Sequence, residues 1–345
     1  MTAIRKMKPA PGADILDVPV PRPGPRDLLV KVKATALCKS DVDIYEWTPL
    51  IQAGNFKPPY TMGHEFAGEV VETGELVTGF AKGDRVAGET HIPCGTCREC
   101  RTGNAHICSN HMGVLGRTCD GSFAEYIRLP EVSAIPLAKG IRFAAGSVYE
   151  PMGTAIHALQ KAQVSGKNVA ILGPGTIGLM ACEAAKALGA TAVIAVGTNH
   201  TRLEYSLKVG ADTAINWKEK DFAAEIKKNY SHLDAVIDCT GNTALIDKAI
   251  DALSTAGTLV LVGMINAELS IPRYMYRVVY RELRITGIYG RHLYTTWDIL
   301  DNLLSSGRLD LDHYVGEQLP LRQFDLGLKH FSQLAGRAVL LPEEK

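Results

Sequence analysis

Long apolar runs, net charge and low-complexity tracts are all missing from this sequence. No stretch approaches the roughly 18 apolar residues needed to cross a bilayer, so a membrane-spanning chain is not expected. The first residues, MTAIRKMKPAPGAD, lack the continuous apolar segment of a signal peptide, and a cytoplasmic location is the expectation. Basic side chains number 37 and acidic ones 37. Without a surplus of either sign there is no long-range field to draw the chain onto phosphate backbones or anionic lipid. Nucleic acid and membrane are set aside as partners, which leaves a small molecule.

What is present suits a soluble globular protein: 46% hydrophobic and 21% charged residues in a chain of 345. That length exceeds what one hydrophobic core usually supports, so two domains are expected. Residues 1–150 are rich in Gly and Pro and carry short β-type runs such as LLVKVKAT and FAGEVVETG, broken by turn residues. After Pro151 the pattern becomes strand, glycine turn and helix in alternation: KNVAILG, LMACEAAKALGA, TAVIAVG, RLEYSLKVGA. Such alternation implies α/β architecture with a doubly wound parallel sheet over 151–290. The tail, 291–345, carries an amphipathic helix, DILDNLLSSG, and a short strand, AVLLP, and is expected to rejoin the β-rich domain. RYMYRVVYRE, 273–282, reads as a helix at the domain junction.

Gly173, Gly175 and Gly178 follow an apolar strand and open a helix through Thr176 and Ile177. The first glycine permits a tight turn, the second lets backbone approach a pyrophosphate, and the third lets helix and strand pack closely. The helix N-terminus then offers amide donors and partial positive charge, so a dinucleotide site is expected here. The next strand ends in AVIAVGTNHTR. Where an acid would grip both ribose hydroxyls of NAD there is Gly197, with Thr198, Asn199, His200 and Arg202 nearby as donors to a 2′-phosphate. NADP(H) is therefore favoured, and NAD(H) with a weaker ribose grip is the competing reading.

Eight cysteines are present, and four of them, Cys94, Cys97, Cys100 and Cys108, stand as C-x2-C-x2-C-x7-C. Four thiolates at such spacing make a closed tetrahedral zinc site with no open position, hence a structural one. Disulfides and an iron–sulfur cluster are the competitors. Cys119, Cys182 and Cys239 read as ordinary buried thiols. Cys38, His64, Glu65 and Glu150 are scattered, and spacing alone does not unite them.

A resemblance does. ALCKSD, GHEFAGEV, GDRV, the four-cysteine loop, DGSFAEY, EPMGTAIHAL and GPGTIG, in this order, resemble the zinc-containing medium-chain dehydrogenase/reductase superfamily over essentially the whole chain. VPVPRPGPRDLLVKV, DIYEW, ETHIPCG and GIYGR are most similar to threonine 3-dehydrogenases and the related sorbitol and polyol dehydrogenases. The resemblance implies a GroES-like catalytic domain from 1–150 and 291–345, a Rossmann domain from 151–290, an active site in the cleft between them, and a homo-oligomer, tetramer or dimer. It also implies two zincs per chain, with Cys38, His64 and Glu65 as catalytic ligands and Glu150 either coordinating or hydrogen-bonding a metal-bound water.

The implied chemistry is hydride transfer between a nicotinamide and a substrate hydroxyl, with Ser40 passing the proton outward. Two positions depart from the family pattern: Lys39 replaces a usual glycine, and Asp43 replaces the relay histidine. Asp43 is the candidate proton acceptor, and Lys39 either reads a substrate anion or faces solvent. Thr154 stands where threonine dehydrogenases generally carry asparagine. Tyr45, Trp47, His91, Arg117 and Arg291 are pocket candidates by resemblance, with packing as their other reading. The sequence thus favours NADP(H)-linked interconversion of a secondary alcohol and ketone on a polyol or hydroxy acid. NAD-dependent L-threonine 3-dehydrogenation is the alternative. A non-catalytic binding protein is the alternative of another class; the altered relay favours it, and intact Cys38, His64 and Glu65 count against it.

Overall fold

The structure, a computed structural model, describes residues 1–54, 56–264, 268–331 and 335–342. The chain forms two compact units, Met1–Glu150 with His292–Trp297 and Asp310–Lys345, and Pro151–Arg291 with Asp298–Leu309. No described helix is long and apolar enough to cross a membrane.

The first unit is built on a sheet in the order Ala134–Pro136, Arg85–Gly88, Glu65–Thr73, Asp27–Ala36, Arg337–Leu341 and Val315–Pro320, with Tyr126–Pro130 also paired to Asp27–Ala36. Its central strand reads DLLVKVKATA. Leu28, Val30 and Val32 alternate inward onto Phe66, Val70, Val86, Ile127 and Leu129, while Lys31 and Lys33 between them stay half-buried. Each large apolar side chain buried this way contributes about 1.5–3 kcal/mol. The C-terminal strand joins the same sheet antiparallel, with Val339 opposite Ala36 and Leu340 opposite Thr35. Two ends of the chain thereby meet one residue before Leu37 and Cys38.

The second unit holds six parallel strands in the order Thr213–Asn216, Ala192–Gly197, Asn168–Leu172, Ala235–Asp238, Thr258–Leu261 and Arg284–Gly287. In chain order that is 3-2-1-4-5-6, the doubly wound arrangement whose switch point lies beside the first strand. NVAIL and AVIAVG are buried at every position because helices cover both faces of the sheet.

Two expectations need correction. Residues 298–309 group with the second unit, not with the rest of 291–345. The helix Thr295–Ser305 spans that split and buries Trp297, Leu300 and Leu303; an amphipathic pattern shows that a face is buried but not in which core. The stretch 273–282 is no regular helix: a π-turn spans Met275–Val279, Arg273 and Glu282 adopt positive φ, and Tyr274, Tyr276 and Tyr280 are exposed.

Candidate active site and metal centres

Cys38 lies at the N-cap of the helix Lys39–Glu46, where its backbone N–H donates to Asp41 Oδ2 at 2.9 Å. The other oxygen of Asp41, fully buried, lies 3.4 Å from His64 Nδ1. A carboxylate on that side holds the ring with Nε2 as the free ligand atom. Glu65 begins the strand opposite Ala36, and Thr35 Oγ1 donates to its carbonyl at 2.9 Å. Glycines make the approach possible. Gly63, at φ +88°, could not bear a Cβ without overlapping the Phe123 ring, and a Cβ on Gly121 would lie 2.0 Å from Gly63 O. One donor atom each from Cys38, His64 and Glu65 lie within 4.8 Å of one another. Ser40 Oγ, also buried, is 3.5 Å from His64 Nε2.

Arg337 reaches this cluster from the far end of the chain. Its Nη2 donates to Glu65 Oε1 at 2.7 Å and lies 3.6 Å from Cys38 Sγ. Glu65 Oε2, equally buried, has no hydrogen-bond partner among the described residues, and that orphaned oxygen fits a metal ligand. Glu150 stands outside the tight set of three, with Oε1 accepting from Thr90 Oγ1 at 2.7 Å. Burial works to raise the Cys38 thiol, yet Arg337 and the His64 bond overcome it and leave it lowered to about 6. Burial, joined by Cys38 and Glu150, raises Glu65 well above the usual carboxylate range against the pull of Arg337. Three acids facing one guanidinium in a dry interior are an excess of negative donors that a dication would relieve. Sulfur, imidazole nitrogen and carboxylate oxygen are also zinc's usual ligands.

The second cluster is Cys94, Cys97, Cys100 and Cys108, whose sulfurs all lie within 4.8 Å of one another. All eight cysteines are free, and Cys97 Sγ is 3.6 Å from Cys108 Sγ, close to the roughly 3.8 Å edge of a tetrahedron with zinc–sulfur bonds of about 2.3 Å. That spacing admits one ion and not a cluster of several irons. Backbone amides of Thr96 and Cys97 donate to Cys94 Sγ at 3.4 and 3.3 Å, and the Thr96 hydroxyl and amide bonds lower its thiol to about 6. Such donors stabilise the thiolate that a metal requires.

In the second unit the three glycines have separate steric reasons. Gly173 adopts φ +86° with its missing Cβ 2.3 Å from Thr240 Cγ2; a Cβ on Gly178 would lie 2.0 Å from Gly173 O. Gly175 faces open space at the N-cap of the helix Thr176–Ala187, the gap that a pyrophosphate would fill.

Comparison with known proteins accords with this geometry. Residues 24–139 match the family model of the alcohol dehydrogenase GroES-like domain, and 176–306 match that of zinc-binding dehydrogenases. The chain is 40% identical over 346 residues to an L-threonine 3-dehydrogenase of Caldanaerobacter subterraneus, covering 99% of each chain. It is 40% identical to one from Pyrococcus abyssi, covering 90% of this chain and 89% of that one. This protein is a zinc-dependent medium-chain dehydrogenase. Among solved structures of such dehydrogenases, a zinc-binding dehydrogenase of Sinorhizobium meliloti bound to NADP superposes with a TM-score of 0.89 at 28% identity, covering 99% of both chains. A 2R,3R-butanediol dehydrogenase of Bacillus subtilis gives 0.89 at 26%, again covering 99% of both.

Within this dehydrogenase several expected site residues have local engagements. Lys39 and Asp43, the two departures from the family pattern, form an ion pair across one helical turn. Lys39 is largely exposed, 62% of its side chain, and Asp43 is its partner on the same helix. Tyr45 packs edge-on against Phe324, and Lys6 Nζ sits 5.1 Å from the centre of the Trp47 ring. Both aromatics therefore have packing roles. His91 Nδ1 lies 3.1 Å from the buried Glu89, and Arg291 is buried. Arg117 acts electrostatically on buried Tyr60, whose hydroxyl burial raises to about 12.

The residues behind the NADP(H) expectation have structural settings of their own. A Cβ on Gly197 would lie 2.6 Å from Pro174 Cδ, so glycine is required there by the cofactor loop's own proline. Asn199 Oδ1 caps its helix by accepting from Arg202 N at 3.0 Å. His200 Nε2 lies 3.0 Å from Glu219 Oε1. Sequence reasoning passed over Asp41, Thr90, Arg337 and Glu219. Asp41 carried a signal as the acid three residues after Cys38, in the first turn of the helix that Cys38 caps; the other three had none.

Proposed function

We propose that this dehydrogenase oxidises the 3-hydroxyl of L-threonine, or of a close hydroxy amino acid, to the ketone with a nicotinamide dinucleotide as hydride acceptor. Full-length similarity near 40% to two L-threonine 3-dehydrogenases, together with the closed Cys38–His64–Glu65 cluster, carries the reading. Cys38, His64 and Glu65 would hold the catalytic zinc, and the four-cysteine loop a structural one. A bound zinc supplies Lewis acidity that lowers the pKa of a substrate hydroxyl. Arg337 holds one oxygen of Glu65 and leaves the other to the metal, while Asp41 fixes the His64 ring. Ser40 Oγ, buried beside His64 Nε2, accepts the hydroxyl proton and hands it outward. Glu150, fixed by Thr90, adds a second carboxylate that tempers the charge around the site.

With the Glu219 carboxylate beside His200 and glycine required at 197 by Pro174, NAD(H) is the better expectation than the NADP(H) favoured by sequence alone. Polyol or hydroxy-acid oxidation is the second reading, favoured by the likeness to butanediol dehydrogenase and by Thr154. Initial rates with L-threonine, sorbitol and 2,3-butanediol, each with both cofactors, decide between them. Threonine with NAD is expected to give the highest kcat/KM, and a polyol exceeding it would reject the proposal.

A further inference from the structure

We infer that Glu219 determines dinucleotide specificity, acting as the carboxylate that disfavours a phosphate on the adenosine 2′-hydroxyl; the inference rests on the dinucleotide reading of the Gly173–Gly178 loop. In a doubly wound sheet the adenosine ribose is gripped at the C-terminal end of the second strand, where an acid normally stands. Here that strand ends in Gly197, which Pro174 forbids to carry a side chain. The adjacent strand, Thr213–Asn216, runs parallel with Asn216 in register with Gly197, and Trp217 N donates to Gly197 O at 3.2 Å. The chain then folds back, with Glu219 N donating to Asn216 O at 3.0 Å.

This turn delivers the Glu219 carboxylate to the start of the helix His200–Lys208. Oε1 lies 3.0 Å from His200 Nε2 and accepts from Asn216 Nδ2 at 2.6 Å. The acid missing from the second strand is thus supplied from the loop after the third, one strand over. It lies against His200, which sequence alone assigned to a 2′-phosphate. The same loop carries Lys218, its Nζ 4.3 Å from the centre of the Trp217 ring, and Arg202 lies one helical turn from Asn199. The carboxylate of Glu219 is the acid that faces His200 at this end of the strand. A 2′-phosphate entering here would meet a carboxylate and compete with it for His200, whereas a ribose hydroxyl can donate to it.

The test is calorimetric titration of the full-length zinc-loaded protein with adenosine 5′-phosphate and with adenosine 2′,5′-bisphosphate, independent of turnover. Glu219→Gln is compared with wild type and with Glu204→Gln, which removes the same charge from an exposed position of the helix His200–Lys208 that Glu219 faces. Because the Glu219 and His200 side chains are 55% and 69% exposed and solvent screens them, the expected gain is modest. Affinity for the bisphosphate relative to the monophosphate should rise about three- to fivefold in Glu219→Gln and less than about twofold in Glu204→Gln. An unchanged ratio in Glu219→Gln, or an equal rise in both variants, overturns the role of Glu219. Failure of wild type to bind either fragment overturns the dinucleotide site itself, and this inference with it.

Discussion

Replacing Arg337 with methionine removes the guanidinium that faces Glu65 and Cys38 in the interior. The guanidinium is 5% exposed, the Glu65 side chain 0%, and their closest atoms are 2.7 Å apart. With charge centres about 4 Å apart and an effective dielectric near 20, the attraction is about 4 kcal/mol. Breaking one side of a buried pair typically costs about 3–5 kcal/mol, because the remaining charge stays desolvated. For a unit of this size such a loss lowers the midpoint by on the order of 10 °C. Urea and thermal unfolding of zinc-free Arg337→Met, Glu65→Gln and the double variant, each compared with zinc-free wild type, measure it. Arg337→Met should be the most destabilised of the three, and the double variant should lose clearly less than the sum of the singles. Additive losses, or an Arg337→Met within about 1 kcal/mol of wild type, would show that Arg337 is a packing residue and refute the electrostatic account.

Three further outcomes are expected. Cys100→Ser should lower zinc content by about one equivalent per chain, by plasma emission spectrometry, and reduce thermal stability, since a closed four-thiolate site contributes directly to folding. Ser40→Ala should keep its zinc and lower kcat by about 10²- to 10⁴-fold if Ser40 carries the proton, with little change in KM for the dinucleotide. Lys6, fully buried, donates to the carbonyls of Ala10, Gly12 and Tyr45. Lys6→Met should therefore cost about 1–3 kcal/mol in urea unfolding, because those acceptors lose their donor.

Features fixed by neighbours in sequence were legible, and features assembled from distant segments were not. The glycine loop and the cysteine loop each act within a few residues, so spacing carried their meaning. The reason for glycine at 197, the ring of Pro174, lies in the loop after another strand and left no local trace. Glu219 was invisible because only the parallel register of Gly197 with Asn216 brings it to His200. Arg337 is 272 residues from Glu65, and no local pattern joins them. The helix Thr295–Ser305 was found from its amphipathic spacing, yet the unit receiving its C-terminal part was not, since periodicity does not name the partner core.

The pairing of the strand Arg337–Leu341 with Asp27–Ala36 sets an order of events during synthesis. Glu65 and Cys38 leave the ribosome early, but their counter-charge follows 272 residues later. At translation rates of about 5–20 residues per second that is a wait on the order of half a minute. The segment Pro151–Arg291, contiguous and rich in local βα contacts, has time to fold within that interval. The sheet of the first unit meanwhile lacks its two last strands, with the edge of Asp27–Ala36 open at Thr35 and Ala36, beside an uncompensated acid cluster. A nascent chain in this state would hold a finished dinucleotide fold and an unfinished metal site, and catalysis would begin only when the last strand docks.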